Sequence, residues 1–217
     1  MAIGSATRVM NAGLACPDWP LCYGTLIPTQ QMNLQVFLEW IHRLDASLIG
    51  LLTIGLVALS VWKRQLLPPW MLWGSCVALL LVCLQGGLGA LTVTALLRFD
   101  IVTAHLGTAL SFFALLLVMA IALIPPAAAS LPQAQQTGAP LTEQFLPPLL
   151  PWIGLGTTVL IYLQSLTGGL VGSRWALHQC LAISQLCSVM NSHLWGVLPT
   201  SISILAVLAW AWRLRKT

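Results

Sequence analysis

Charged residues are the scarcest component of this chain. Only 6% of its 217 residues are charged, and only five are acidic, whereas 58% are apolar. A water-soluble protein with so few charges would have almost no polar surface, so we expect the chain to be dissolved in a lipid bilayer. The net charge of +4 does not predict a nucleic-acid partner, because the basic residues cluster at the ends of apolar segments, where membrane topology places them.

The sequence also lacks the ten-residue alternation of apolar and polar residues that is typical of a membrane β-barrel. Its apolar residues instead form five blocks of about 20 residues or more, enough to cross roughly 30 Å of hydrocarbon as helix. The blocks cover about 35–62, 70–97, 101–124, 148–171 and 190–212. The sequence therefore predicts an all-α integral membrane protein, a bundle of five complete transmembrane helices.

A segment rich in Pro, Ala and Gln divides these blocks into two groups. It predicts a first membrane half over 1–124 with its first helix mostly missing, an inner linker over 125–147, and a partial second membrane half over 148–217. Each half carries an outer loop with two cysteines, followed by a span with a histidine near its outer end. We interpret this order as a weak internal duplication.

Basic residues close the first and the last block and predict that these ends face the cytoplasm. The two loops with paired cysteines then lie on the outer, oxidising side of the membrane. There we expect the disulfides Cys16–Cys22 and Cys180–Cys187. The other two cysteines lie within the second block and are expected to pack as small apolar side chains.

Ionisable side chains inside a span are costly and therefore indicate function. Glu39, His42 and Arg43 lie together in the first span, and His105 and His193 each lie near the outer end of a later span. Histidines at similar depth on separate helices can hold a flat cofactor, and imidazole is a common axial ligand of heme iron. We expect His42 and His105 to form such a pair. For any one of these histidines alone, a polar contact between helices stays open as the alternative.

Glu39 lies three residues before His42 and so shares its helix face. Its carboxylate could orient the histidine, accept a proton or lie beside a reacting group, and it could equally form an i,i+4 ion pair with Arg43. For Arg43 we expect a position at the membrane interface or contact with an acidic group such as a heme propionate. No Cys or carboxylate cluster at zinc-like spacing lies nearby, so heme is favoured over a non-heme metal.

At these residues the chain resembles heme A synthases, particularly the cyanobacterial ones. The resemblance rests on residues 13–22 (GLACPDWPLC) followed by Glu39-x-x-His42-Arg43, on residues 102–105 (VTAH), on residues 174–180 (RWALHQC) through Cys187, and on residues 190–193 (MNSH). Heme A synthases have eight spans in two four-helix pseudo-repeats. The resemblance therefore implies a chain that is truncated at both ends.

The resemblance implies a heme-dependent oxidoreductase that converts the methyl group of heme O to the formyl group of heme A for terminal oxidase biogenesis. Its implied catalytic residues are Glu39, His42 and His105, with the two histidines as iron ligands. A heme b is implied at His193, together with a histidine on a last helix.

The implied location is a bacterial cell membrane, with both Cys loops outside. The partners that the resemblance implies are heme O synthase and an electron donor that the sequence does not identify, and a homo-oligomer is left open. Two other functions also stay open. One is a diheme b-type electron-transfer subunit of the membrane, and the other is a non-catalytic assembly factor that delivers heme.

Overall fold

The computed structural model describes residues 2–124, 149–172 and 185–216. Within these ranges the regular structure is helical, apart from one isolated β-bridge between Cys22 and Thr25. The six helices of the described residues are α1 Ala2–Val9, α2 Leu34–Trp62, α3 Pro69–Thr94, α4 Phe99–Ala122, α5 Leu150–Val171 and α6 Gln185–Lys216.

Helices α2 to α6 are each long and apolar enough to cross a membrane. Even α5, with 22 residues, is roughly 33 Å long at 1.5 Å per residue. Large apolar side chains such as Leu51 and Trp62 remain exposed on the helix surfaces, as expected where lipid replaces water as the solvent. The prediction of an all-α integral membrane bundle with five spanning helices is confirmed.

Local chemistry explains where two of the helices begin. The side chain of Asn33 accepts a hydrogen bond of 3.0 Å from the N–H of Val36 and so caps the start of α2. Pro69 occupies the first position of α3, where its missing N–H has no cost.

The helix ends differ from the predicted apolar blocks. Helix α3 ends at Thr94 although apolar residues continue, because Leu96 and Leu97 adopt positive φ angles of 52° and 58°. Helix α6 begins at Gln185, before the predicted start at 190, since a helix can extend through polar residues that an apolar pattern does not register. His193 therefore lies deeper in its helix than the pattern predicts.

The chain divides into two units, Met1–Met119 and Ala120–Thr217. In the first unit α2 packs against both α1 and α3, and α4 meets α3 where Met119 lies against Gly74. In the second unit α5 packs against α6. The predicted linker over 125–147 lies outside the described residues, so the predicted domain boundaries stay a prediction.

Candidate functional site

The loop between α1 and α2 is closed by a disulfide between Cys16 and Cys22. Both cysteines are buried and cluster with Val36 of α2. After the disulfide the chain turns back at Tyr23 and Gly24, which have positive φ angles of 54° and 70°. We call residues 16–22 the Cys loop. Its packing on α2 places it beside the helix that carries the first candidate histidine.

Asp18 holds the turn that follows the Cys loop. Its carboxylate accepts hydrogen bonds from the N–H groups of Tyr23 at 2.6 Å and Gly24 at 2.7 Å. Hydrogen bonds to the charged form favour it, so the pKa of Asp18 is lowered, with the bond from Gly24 as the largest cause. Asp18 is therefore ionised at neutral pH.

Glu39 joins the Cys loop to α2. The residue is only 3% exposed, and its Oε2 accepts a hydrogen bond of 2.8 Å from the backbone N–H of Cys16. Its Oε1 accepts a hydrogen bond of 2.6 Å from Nη2 of Arg43. The sequence left several roles open for Glu39, and the structure shows one of them, the i,i+4 ion pair with Arg43. The Oε2 bond thus joins the loop to the helix, whereas the charge-assisted Oε1 bond lies within α2.

Arg43 extends this contact across the Cys loop. Its Nη1 donates hydrogen bonds to the carbonyl oxygens of Asp18 at 2.6 Å and Leu21 at 2.5 Å. Its Nη2 also donates to the carbonyl oxygen of Cys16 at 3.2 Å. A planar guanidinium with several donors can make these bonds together, whereas a lysine could not. Arg43 therefore holds the Cys loop against α2. The predicted contact of Arg43 with a heme propionate stays a prediction.

His42 belongs to α2, and its ring lies against α1. Gly4 of α1 approaches its ring so closely that a Cβ added there would lie 3.0 Å from His42 Cε1. The hydroxyl of Thr7 on α1 shares its proton between the carbonyl oxygen of Ile3 in the same helix, at 3.0 Å, and that of Leu38 on α2, at 3.2 Å. The Nδ1 of His42 is buried and has no hydrogen-bond partner within the described ranges.

His105 on α4 lies against α3. The amide nitrogen Nε2 of Gln85 is 3.3 Å from His105 Nε2. One turn further along α3, a Cβ added at Gly89 would lie 3.4 Å from His105 Cε1. The Nδ1 of His105 and the Oε1 of Gln85 are both buried without a partner in the part of the chain that the structure describes.

His42 and His105 belong to the same unit. Both rings are half-buried, and each has one buried nitrogen without a partner among the described residues. Such unsatisfied polar atoms are rare in folded proteins and call for an explanation such as an absent ligand. Two imidazoles in apolar surroundings suit heme iron. The residues present therefore fit a heme that His42 and His105 would hold.

A metal ion held by several polar side chains has no candidate site in the described ranges. There, no group of three or more His, Cys, Asp or Glu residues is placed to hold a metal ion.

His193 of the second unit lies on α6 against α5. Its Nδ1 is 3.1 Å from Gln164 Nε2 and 3.0 Å from Thr167 Oγ1. Near the start of the same helix, Cys187 is disulfide-bonded, whereas its predicted partner Cys180 lies outside the described residues. The structure therefore places His193 in a polar contact between two helices.

Several residues around the histidines were not predicted from the sequence. Gln85 and Gln164 could have been identified from the sequence, because an amide inside an apolar span needs an internal hydrogen-bond partner. Gly4 could not have been identified in this way, since its close approach to His42 depends on how α1 packs against α2.

Comparison with known proteins matches the chain to one protein family and to several curated relatives. Residues 1–210 match the family described as cytochrome oxidase assembly protein. The heme A synthase of Shewanella oneidensis is 32% identical over 197 residues, which cover 83% of this chain and 55% of that protein. The heme A synthase of Geobacillus kaustophilus is 40% identical over 106 residues, or 47% of this chain and 31% of that protein.

A third relative is the protoheme IX farnesyltransferase of Halobacterium salinarum, which is 29% identical over 140 residues, or 64% of this chain and 31% of that protein. The chain thus spans about half the length, or less, of the curated relatives it matches. No solved structure matches it.

Proposed function

The chain belongs to the cytochrome oxidase assembly protein family, and we propose that it oxidises heme O to heme A. One observation carries this proposal. His42 and His105 share one unit, and each has a buried Nδ1 without a partner in the described residues. The two imidazoles would hold the iron of a bound heme.

We assign His42 and His105 as the residues that would hold the iron of heme O. Glu39 and Arg43 support His42 without contacting the heme. Their hydrogen bonds fix the Cys loop to the turn of α2 that carries His42. This arrangement restricts the motion of the helix turn and keeps His42 in one position. Precise placement of a ligand by its supporting contacts is typical of metal-binding sites.

When bound, heme iron supplies the chemistry needed to oxidise an unactivated carbon–hydrogen bond, which no amino-acid side chain provides. The residues of this chain ligate and orient the substrate. Their apolar, lipid-facing surroundings also suit the farnesyl tail of heme O.

We extend the proposal to a heme b at His193 in the second unit. We further propose that heme O is supplied by an enzyme like the protoheme IX farnesyltransferase among the relatives. The Cys loop would lie on the outer side of a bacterial cell membrane, because disulfides form and persist in an oxidising compartment.

Expression in bacteria that make heme O but no heme A tests the proposal. Hemes extracted from membranes with the wild-type chain are expected to include heme A, whereas His42→Ala and His105→Ala membranes should contain none. Leu48→Ala is the control, because Leu48 is an exposed residue on the same helix as His42. It should give the wild-type yield.

Two outcomes would contradict the proposal. If the wild-type chain retains bis-histidine heme b and no heme A forms, it is an electron-transfer subunit. If either histidine variant yields as much heme A as the wild type, the assigned ligands are wrong.

A further inference from the structure

The connection between α2 and α3 is a tight turn at residues 63–68. The backbone N–H groups of Leu66 and Leu67 both donate hydrogen bonds to the carbonyl oxygen of Lys63, at 2.8 and 3.0 Å. These two bonds fold the chain back directly after α2. The turn therefore has a defined backbone conformation from which its side chains project.

A cavity of about 370 Å³ is lined by this turn, by the end of α2 and by the start of α3. Its volume lies within the roughly 300–1,000 Å³ that is typical of small-molecule sites. The polar lining residues are Ser60, Arg64 and Gln65. The hydroxyl proton of Ser60 is already used, because it is donated to the carbonyl oxygen of Leu56 on the same helix at 2.8 Å. The apolar lining residues are Leu67, Pro68, Pro69 and Leu72.

The turn carries two cations in a stretch of sequence without acids. Residues 59–73 include Lys63 and Arg64 but no Asp or Glu. The exposed guanidinium of Arg64 has no hydrogen-bond or ion-pair partner among the described residues, whereas Arg98 is paired with a carboxylate at 2.6 Å. The Nζ of Lys63 lies 4.4 Å from the ring centroid of Trp62, and an aromatic ring attracts an ammonium group without cancelling its charge. The polar side of the cavity therefore attracts anions.

Helix length places this turn at the level of the lipid head groups. Helix α2 has 29 residues and α3 has 26, so at about 1.5 Å per residue they are roughly 44 Å and 39 Å long. The hydrocarbon core of a bilayer is about 30 Å thick, and about 40–45 Å with the head groups included. Both helices therefore extend beyond the hydrocarbon. Trp62 and Trp70 flank the turn, as is typical of this boundary.

We infer that this cavity binds the head group of an anionic phospholipid, with the phosphate at Arg64 and with Lys63 as a second positive charge. A guanidinium binds a phosphate through two parallel N–H groups. A zwitterionic lipid fits less well, because residues 59–73 offer no acid for its ammonium group. Free phosphate would satisfy the cations but leave the apolar part of the lining uncovered.

This lipid site is separate from the histidine site. Ser60 lies roughly 27 Å from His42 along α2 at about 1.5 Å per residue. The inference therefore does not depend on heme binding.

The test is native mass spectrometry of the purified full chain in detergent, titrated with dioleoyl phosphatidylglycerol or with dioleoyl phosphatidylcholine. We expect the first phosphatidylglycerol to bind more tightly than the first phosphatidylcholine. Arg64→Gln should weaken phosphatidylglycerol binding about fivefold, the contribution of one basic residue near a lipid surface, and leave phosphatidylcholine binding unchanged. Arg98→Gln is the matched control, because the charge of Arg98 is already paired, and it should bind both lipids as the wild type does.

A second pair of variants tests the cavity itself without changing any charge. Leu67→Trp should weaken phosphatidylglycerol binding, because Leu67 lines the cavity and the larger indole would fill it. Leu66→Trp is its control, since Leu66 is 79% exposed and is not a lining residue.

Three results would overturn the inference. Equal affinity for the two lipids would show that the site does not select a negative charge. Equal loss in Arg64→Gln and Arg98→Gln, or no loss in Arg64→Gln, would show that Arg64 does not hold the phosphate. Displacement of bound phosphatidylglycerol by an equal concentration of inorganic phosphate would make the cavity a phosphate site and not a lipid site.

Discussion

The backbone N–H of Cys16 donates a 2.8 Å hydrogen bond to the carboxylate of Glu39. This bond connects a disulfide-closed loop to the helix turn that carries His42. A hydrogen bond to a charged group contributes about 1.5–3 kcal/mol, so its loss should be measurable. We therefore expect changes in the Cys loop to alter the histidine site, and changes at Glu39 to loosen the loop.

Glu39→Gln tests this connection. The amide keeps the size of the carboxylate but places an NH2 group opposite either the Cys16 N–H or the Arg43 guanidinium, which are both donors. We expect heme to stay bound, heme A formation to fall about tenfold, corresponding to about 1.4 kcal/mol, and a phosphine to reduce the loop disulfide faster.

Asp100→Asn is the matched control for Glu39→Gln. Asp100 is an exposed carboxylate paired with Arg98 at 2.6 Å, and exposed pairs of this kind contribute little. Normal product yield and normal disulfide reactivity in Glu39→Gln would show that the buried carboxylate does not hold the loop.

Replacing both Cys16 and Cys22 by Ser should weaken activity without abolishing it. The backbone bonds to Glu39 and Arg43 do not depend on the sulfur atoms, so part of the loop structure should persist. Heme A yield per bound heme is the measurement. Cys76→Ser is the control, because Cys76 is a free thiol. Complete loss of product in a folded, heme-loaded double variant would instead assign the disulfide a redox role.

Gly4 lies on α1, a helix outside the predicted spans, and Gly4→Ala should disturb the proposed heme site at His42. The added Cβ would lie 3.0 Å from His42 Cε1, which is too close unless the ring or α1 moves. We expect weaker binding of heme O, measured by spectroscopic titration. Gly55→Ala on α2 should leave binding unchanged, because a Cβ there has no neighbour within 4 Å. Equal affinities in the two variants would mean that α1 does not fix the ring.

The turn held by Asp18 should open in acid. Because the folded-state pKa of Asp18 is lowered, its stabilising effect is fully present above the unfolded value of about 3.9. The effect is lost as the pH falls through the lowered pKa. Hydrogen exchange of the Tyr23 and Gly24 amides, corrected for intrinsic rates, should show protection that falls in this range. Asp18→Asn should show a flatter profile, and a wild-type profile that is equally flat would contradict this role.

The membrane fold could be predicted because an apolar block of about 20 residues has few alternatives to a spanning helix. The five spans and the membership of the heme A synthase family, predicted from the Cys loop and the histidine motifs, are confirmed. The end of α3 was not predictable in this way. Leu96 and Leu97 are apolar, and nothing in their hydropathy indicates the left-handed backbone that ends the helix.

The candidate site was only partly predictable. Ionisable groups in apolar spans are conspicuous, so Glu39, Arg43 and the histidines were identified, and their roles stay predictions. The sequence could not decide between the roles open to Glu39, because the contact with the Cys16 N–H depends on how the Cys loop folds back on α2. Gln164 is conspicuous as an amide in an apolar span, but its contact with His193 could not be predicted, since the two residues lie on different helices.

We expect His42 and His105 together to ligate one heme. The most direct measurement is electron paramagnetic resonance of the purified full chain loaded with heme O. His193→Ala serves as the background, so that a second heme does not contribute. We expect a low-spin bis-histidine signal that disappears when either His42 or His105 is also replaced by Ala. An unchanged low-spin signal in either of these variants would contradict it.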